Sequence, residues 1–267
     1  MKLPVASIVI LALLFFCSFF GQWLYHVSPY ELNKDAILLA PSLEHIFGTD
    51  RLGRDIAARI IEGGKVSLSI GVGSALIASF AGLMIGATAG YFRGVVDKGF
   101  VVLVDLFLTF PTFFLLLALV SYVNASVWVL IVIISITGWM TTARLIRSES
   151  FAITQKPFIK ILRIAKMPTY RILLKYYTPL LAPIFFVSVT FGVGGAILSE
   201  SGLSFLGLGI VAPQMSWGSI LSGGKEVMDI AWWVSFFPGL MIFLVTLALM
   251  NISNYLQSIT NQKQVQE

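Results

Sequence analysis

A chain of 267 residues with 57% hydrophobic and only 12% charged residues, and a mean hydropathy of +0.90, lies outside soluble globular usage, where about a quarter of residues are charged. Too few charges remain to cover the outer faces of water-exposed helices, so a soluble fold is excluded and the chain reads as an all-α integral membrane protein. The net charge of +5 and pI near 9.4 do not point to nucleic acid, because the basic residues sit in connections between apolar runs. The single cysteine, Cys17, excludes a disulfide framework and a thiolate metal cluster.

In chain order, no charge follows Lys2 until well past Phe20, and about 18 apolar residues suffice to span a bilayer core. A first transmembrane helix is predicted within residues 1–25. It is expected to be retained: no small-x-small cleavage site follows, and Phe16 before Cys17 is a poor lipoprotein context. Residues 26–65 carry Pro29, Pro41 and the run from Phe47 to Asp55. They predict an extracytoplasmic loop leading into a short amphipathic helix at the membrane surface, with Thr49 or Asp50 as its cap and Ile56, Ile60 and Ile61 on one face.

Residues 66–256 predict five further spans. The first, Val66 to Gly90, places Ser74, Ala78, Gly82, Gly86 and Gly90 at a spacing of four, a stripe that serves either a close helix seam or a pore lining. After a loop at 91–99, a span from Phe100 to Val123 is expected to kink at Phe110-Pro111, with Thr109 and Thr112 repairing the freed backbone. Asp105 within it either faces the bundle interior or a wet cavity, or sits near the interface with Lys98 as partner. A span from Val127 to Thr142 precedes a basic segment, 144–179, and a span from Leu180 to Ser199 follows it, with Ser188, Gly192 and Ala196 at four-residue spacing and Glu200 closing it. The stretch from Ser201 to Ile230 is too broken by glycine to cross and reads as re-entrant or interfacial; Trp232 and Trp233 mark the interface at the start of a sixth span ending near Tyr255. Asp105 and Glu200 are the candidate residues of a translocation path.

Placing the N-terminus inside puts Lys2, Arg93, Lys98, the basic segment and Lys263 on the cytosolic side, and the smaller set of Lys34, Arg51, Arg54, Arg59, Lys65 and Lys225 outside. The positive-inside rule therefore predicts six spans with both termini, including the tail 257–267, in the cytosol. Within the basic segment, Pro157 suits a first helical turn capped by Thr154 or Gln155, and Pro168 forces an end near Met167. Lys160, Arg163 and Lys166 form a basic stripe on this short helix, and Phe158, Ile161, Leu162 and Ala165 an apolar one. A second amphipathic piece runs from Thr169 to Tyr177. The pair makes a cytosolic knob, which reads as a docking element or as a topology marker.

The motifs Gly48-Thr49-Asp50 with Leu52-Gly53-Arg54-Asp55, Val104-Asp105 with Phe110-Pro111, Ala143-Arg144 to Ser148, Gly194-Gly195-Ala196-Ile197-Leu198, and Gly202-Leu203-Ser204-Phe205-Leu206-Gly207-Leu208-Gly209 with Pro213 and Trp217-Gly218 extend over most of the chain. With them the sequence resembles the permease subunits of binding-protein-dependent ABC importers of the dipeptide, oligopeptide and nickel group. The resemblance implies a type I importer permease fold whose cytosolic knob is the coupling helix, seated on an ATPase subunit. The ATPase-coupling residues it implies are Phe158, Ile159, Lys160, Ile161, Leu162, Arg163, Ile164, Lys166 and Met167. Such families carry Glu-Ala-Ala, three residues, then Gly; this chain has Lys160-Ile161-Leu162 and Lys166, a reversed charge and no turn glycine.

The implied partners are a second homologous permease, two ABC ATPase subunits, an extracytoplasmic solute-binding protein and the lipid bilayer of the bacterial inner membrane. No cofactor is expected in this chain: Gly63-Gly64-Lys65 lacks the spacing of a phosphate loop, so ATP and Mg belong to the ATPases. No metal site is expected from His26 and His45, and no nucleophile, base and orienting trio appears in the sequence, so the chain reads as a transport subunit and not an enzyme. The Leu39-Ala40-Pro41 approach to Gly48 and the Leu108 to Thr112 stretch look closer to nickel or metal-chelate members than to dipeptide or oligopeptide ones. The rival class, a secondary transporter or channel, would carry more intramembrane charge and repeat symmetry.

Overall fold

The computed structural model describes residues 3–266, the last six of these by backbone alone. Lys2 and the last residue of the tail, Glu267, lie outside the described residues. Ten α-helices organise the described chain: α1 (Val5–Phe20), α2 (Ile56–Phe92), α3 (Gly94–Leu108), α4 (Thr112–Val120), α5 (Val127–Gln155), α6 (Pro157–Ile164), α7 (Thr169–Ile172), α8 (Thr178–Phe205), α9 (Trp217–Gly223) and α10 (Trp233–Gln266). Five helical stretches are long and apolar enough to cross a membrane, and α3 with α4, bent by 77°, adds a sixth if the two halves form one span.

The main departure from expectation is length. The amphipathic helix predicted before residue 65 and the span after it are one helix, α2, about 55 Å long at 1.5 Å per residue and so longer than a bilayer core. The Gly63-Gly64 pair does not break it, because both glycines are buried where α2 meets other elements: a side chain on Gly64 would overlap Ser18 of α1. Its cap is Asp55 and not Thr49 or Asp50, with Asp55 Oδ1 accepting from Ala58 N at 2.8 Å.

The α2–α5 seam is the spine of the bundle. A Cβ on Gly86 would overlap the Ala143 carbonyl, and one on Gly90 would lie 2.6 Å from Ser150 Cβ. Ser150 Oγ donates to Ala87 O at 3.0 Å across the seam, and Ser135 Oγ donates to Ser74 O at 3.3 Å. In hydrocarbon, where apolar burial gives no drive, such close backbone approach and interhelical hydrogen bonding hold helices together.

The expected loop at 91–99 reduces to a turn at Arg93 and Gly94, both at positive φ, and α3 begins at once. Pro111 does not kink a continuous helix but separates α3 from α4, since it has no N–H to donate to the preceding turn and Thr112 restarts the helix. α5 passes Thr142 without interruption to Gln155, so Arg144 and Arg147 belong to a spanning helix and the excursion begins only at Lys156. Thr154 and Gln155 lie inside α5, and the N-cap of α6 is Lys156, with no side-chain cap bond. Beyond α7 a π-turn, Leu173–Tyr177, leads directly into α8; the Leu173 carbonyl accepts both from Thr178 N and, at 3.0 Å, from Thr178 Oγ1.

Candidate functional site

Small and hydroxyl-bearing residues of α2, α4, α5, α8 and α10 face one another across a groove of about 460 Å³. Ser74, Ala78 and Ser79 come from α2, Thr137, Thr141 and Thr142 from α5, Ser188, Gly192 and Ser199 from α8, and Ser253, Asn254 and Gln257 from α10. No charged side chain lines it. The small-residue stripe of α2 thus has two uses: Gly82, Gly86 and Gly90 form the seam, and Ser74 and Ala78 open onto the groove. Sequence reasoning singled out Ser188, Gly192 and Ala196 but missed Thr137 and Thr141, whose four-residue spacing on an apolar helix was the available signal. Among the described residues no group of three His, Cys, Asp or Glu side chains could hold a metal.

Asp105 and Glu200 are not among the groove's lining residues. Asp105 Oδ1 pairs with Arg144 Nη2 at 2.6 Å, both side chains more than half exposed, so the ion pair is with α5 and not with Lys98. About two helical turns away on α3, Asp97 is bidentate to Arg147, with Nη2 to Oδ2 at 2.7 Å. These two pairs bind α3 to α5.

Glu200 does not close α8. The helix continues to Phe205 and buries Glu200 completely. Its Oε1 accepts from Ser204 Oγ and from Ser216 Oγ, each at 2.6 Å, while Oε2 has no partner. Ser216 also caps α9 in a reciprocal box with Ser219, so one carboxyl ties α8 to the start of α9. Glu200→Ala would strand two buried hydroxyls and is expected to cost about 2–3 kcal/mol, with Glu200→Gln costing about 1 kcal/mol because the amide oxygen still accepts. Thermal unfolding of the detergent-solubilised protein checks this, and equal melting of Ala and wild type would contradict it.

At one end of the bundle α6 carries the predicted coupling residues. Pro157 occupies its first turn. Ile159 is fully buried with Tyr91, Ile146, Ile153, Ile172, Tyr177 and Leu181, and Leu162 and Met167 pack onto the same cluster. Arg163 is also tied down, its Nη2 donating to Tyr91 O at 3.0 Å and its guanidinium 4.2 Å from the Tyr91 ring centre. Four apolar and basic groups remain outward: Phe158, Lys160, Ile161 at 62% exposure and Ile164 at 81%, followed by Lys166. The apolar stripe is therefore split. Leu162 faces in, and Ile161 with Ile164 faces out.

The missing glycine does not abolish the turn. Lys166 takes φ 54°, with Lys166 N donating to Arg163 O at 3.0 Å and Met167 N to Leu162 O at 3.1 Å. That pair of bonds is the helix-ending motif usually completed by glycine, adopted here by a lysine at a steric cost of about 1 kcal/mol.

At the opposite end, the Gly48 to Asp55 motif builds a rigid corner. Thr49 Oγ1 donates to Ala36 O and accepts from Leu39 N at 2.8 Å, and Thr49 O accepts from Trp233 Nε1 at 3.1 Å. Gly53, at φ 70°, lies against the Asn33 carbonyl where any side chain would collide. Asp55 Oδ2 accepts from Tyr25 OH at 2.9 Å and faces His45 Nδ1 at 2.8 Å. Burial, the hydrogen bond and the Asp55 charge all push the Tyr25 phenol up, so it stays protonated and donating. The Gly63-Gly64-Lys65 sequence lies within α2, with Lys65 Nζ bonded to Glu62 at 2.7 Å and to Gln22 at 3.2 Å.

Comparison with known proteins adds the family. Residues 82–264 match the model of the binding-protein-dependent transport system inner membrane component. The chain is 31% identical to the oligopeptide transport system permease protein OppC of Haemophilus influenzae, over 91% of this chain and 79% of that protein. It is 33% identical to the dipeptide transport system permease protein DppC of Bacillus subtilis, over 98% and 82% of the two chains. It is 31% identical to the nickel transport system permease protein NikC of Escherichia coli K12, over 91% and 87%. The matched span includes α6 and most of the groove and seam, and the chain belongs to the inner-membrane permease subunits of ABC importers of the dipeptide, oligopeptide and nickel family.

Proposed function

We propose that this chain forms half of the translocation path of an ATP-driven importer, the 460 Å³ groove being its share of the path wall. A second homologous permease supplies the facing wall, two ATPase subunits bind ATP and Mg, and a solute-binding protein delivers the solute from outside. Both termini and α6 lie in the cytosol in this reading, which the distribution of lysine and arginine supports. Closure of the ATPases on ATP is transmitted through α6 to α5 and α8, and the bundle alternates between two rigid arrangements.

The observation that carries the reading is the neutral, mainly apolar groove set with serine, threonine and amide side chains and joined by α5 to the exposed apolar face of α6. Serine, threonine and amide groups offer hydrogen bonds to a passing polar solute without holding it. A naked divalent ion would find no carboxylate or imidazole there, so nickel would cross as a chelate; a dipeptide or oligopeptide suits the same lining. Uptake assays in reconstituted vesicles with nickel ion, a nickel chelate, a dipeptide and an oligopeptide separate these substrates. A Cβ on Gly195 meets nothing within 4 Å, and this residue lines the groove. Gly195→Trp is expected to reduce uptake to the background of vesicles lacking ATPase while the ATPases still co-purify; undiminished uptake would remove the groove from the path.

A further inference from the structure

The Gly48 to Asp55 corner leaves one buried cation with a counter-charge that it shares with Arg54 and does not hydrogen-bond. Arg59 is 9% exposed at its side chain, its Nε has no hydrogen-bond partner, and its nearest carboxylate oxygen, Asp50 Oδ2, is 3.6 Å away. Nη1 reaches only the Pro29 carbonyl, at 3.4 Å. Asp50 is already committed: Oδ1 accepts from Leu52 N and Arg54 N, and Oδ2 from Arg54 Nε at 2.7 Å. Arg59 lines a recess of about 200 Å³ together with Arg51, Arg54, Ser219 and Gly223, and Arg51 at its rim pairs with Glu226. A buried guanidinium gains strongly from a carboxylate within hydrogen-bond reach.

We propose that this recess receives one carboxylate, carried by an acidic side chain of the extracytoplasmic protein that docks on this end of the bundle. Three observations select that bearer. The recess shares no lining residue with the groove, so a solute in transit does not pass through it. Its 200 Å³ holds a side chain rather than a whole solute. It also lies at the end of α2 opposite α6, away from the ATPase side. That the bearer is a solute-binding protein rests on the importer reading; the anion site does not.

The test uses the purified protein in neutral-lipid nanodiscs with sodium acetate, phosphate or chloride at matched ionic strength. Acetate is expected to raise the melting temperature by about 2–4 °C over chloride. Arg59→Gln should lose that increment. No increment in the wild type overturns the site, and a larger increment with phosphate than with acetate assigns it to a phosphate or lipid headgroup instead. A Cβ on Gly223 meets nothing within 4 Å, so Gly223→Asp supplies a tethered competitor at the recess and Gly223→Asn its neutral control. In the assembled complex, docking of the binding protein should weaken about tenfold or more in the Asp variant and change less than about twofold in the Asn variant. Equal docking by both overturns the docking role even if acetate stabilises. Acetate stabilisation in a chain that retains no ATPase on purification would sink the importer reading and leave the anion site standing.

Discussion

Replacing Ile161 and Ile164 together by aspartate is expected to abolish uptake and to release the ATPase subunits on purification, with the permease still inserted in the membrane. These two side chains are 62% and 81% exposed on a helix whose opposite face is buried against the Tyr91–Tyr177 cluster. An apolar side chain of this size contributes about 1.5–3 kcal/mol when covered, so losing two and desolvating two charges costs an interface well over 3 kcal/mol. That is more than a hundredfold in affinity at 1.4 kcal/mol per decade. The variant leaves Ile159, Leu162 and Met167 untouched, so the knob keeps its shape. Leu162→Asp would instead put a charge against the internal cluster and confuse unfolding with uncoupling. Normal uptake, or normal ATPase retention, in the double variant would sink the docking assignment of α6. Charge enters differently: Lys160 and Lys166 sit outward beside this pair, so the surface that covers α6 is expected to be acidic at its edge.

Gly86→Leu is expected to prevent assembly of the bundle. The Ala143 carbonyl occupies the position of its Cβ, and backbone on the opposing helix cannot rotate away as a flexible side chain could. α2 and α5 must separate, which breaks the bonds from Ser150 to Ala87 and from Thr154 to the Gly90 carbonyl and opens the seam along several turns. Overpacking of this kind costs about 1–3 kcal/mol in adaptable cores and more where backbone is the obstacle. The readout is the yield of monodisperse protein after extraction and its melting temperature. Gly99→Leu, where an added Cβ meets nothing within 4 Å, is the control expected to behave as wild type. Recovery of folded Gly86→Leu at wild-type yield would show that the seam is not what holds α2 to α5.

The extent of what could be read in advance differs sharply between neighbouring residues. Pro157 and Pro168 act through their own rings on their own backbone, and α6 accordingly begins at Pro157 and ends before Pro168. The end of α5 is not legible locally, because its charges, Arg144 and Arg147, read as the start of a loop; they remain helical because Asp105 and Asp97 on α3 meet them. Those acids lie about 40–50 positions away, beyond any local pattern. Glu200 misled for the same reason. A charge at the end of an apolar run reads as a boundary, yet the hydroxyls of Ser204 and Ser216 donate to Glu200 and hold it in the interior.

By itself the sequence determined the class of this protein: apolar runs of bilayer length leave no soluble alternative, proline and glycine punctuate the elements, and the motif set carries a family resemblance. These are properties of short stretches, set by backbone sterics and by transfer from water to hydrocarbon, and they need no partner segment. Tertiary structure alone decided which face of each helix is free. Ile161 is outward and Leu162 inward, Thr137 and Ser188 share a groove, Lys166 holds a glycine's conformation, and Arg59 is left facing a recess. Each depends on which distant backbone occupies the neighbouring space, and in a chain this apolar nearly every face is chemically able to be buried.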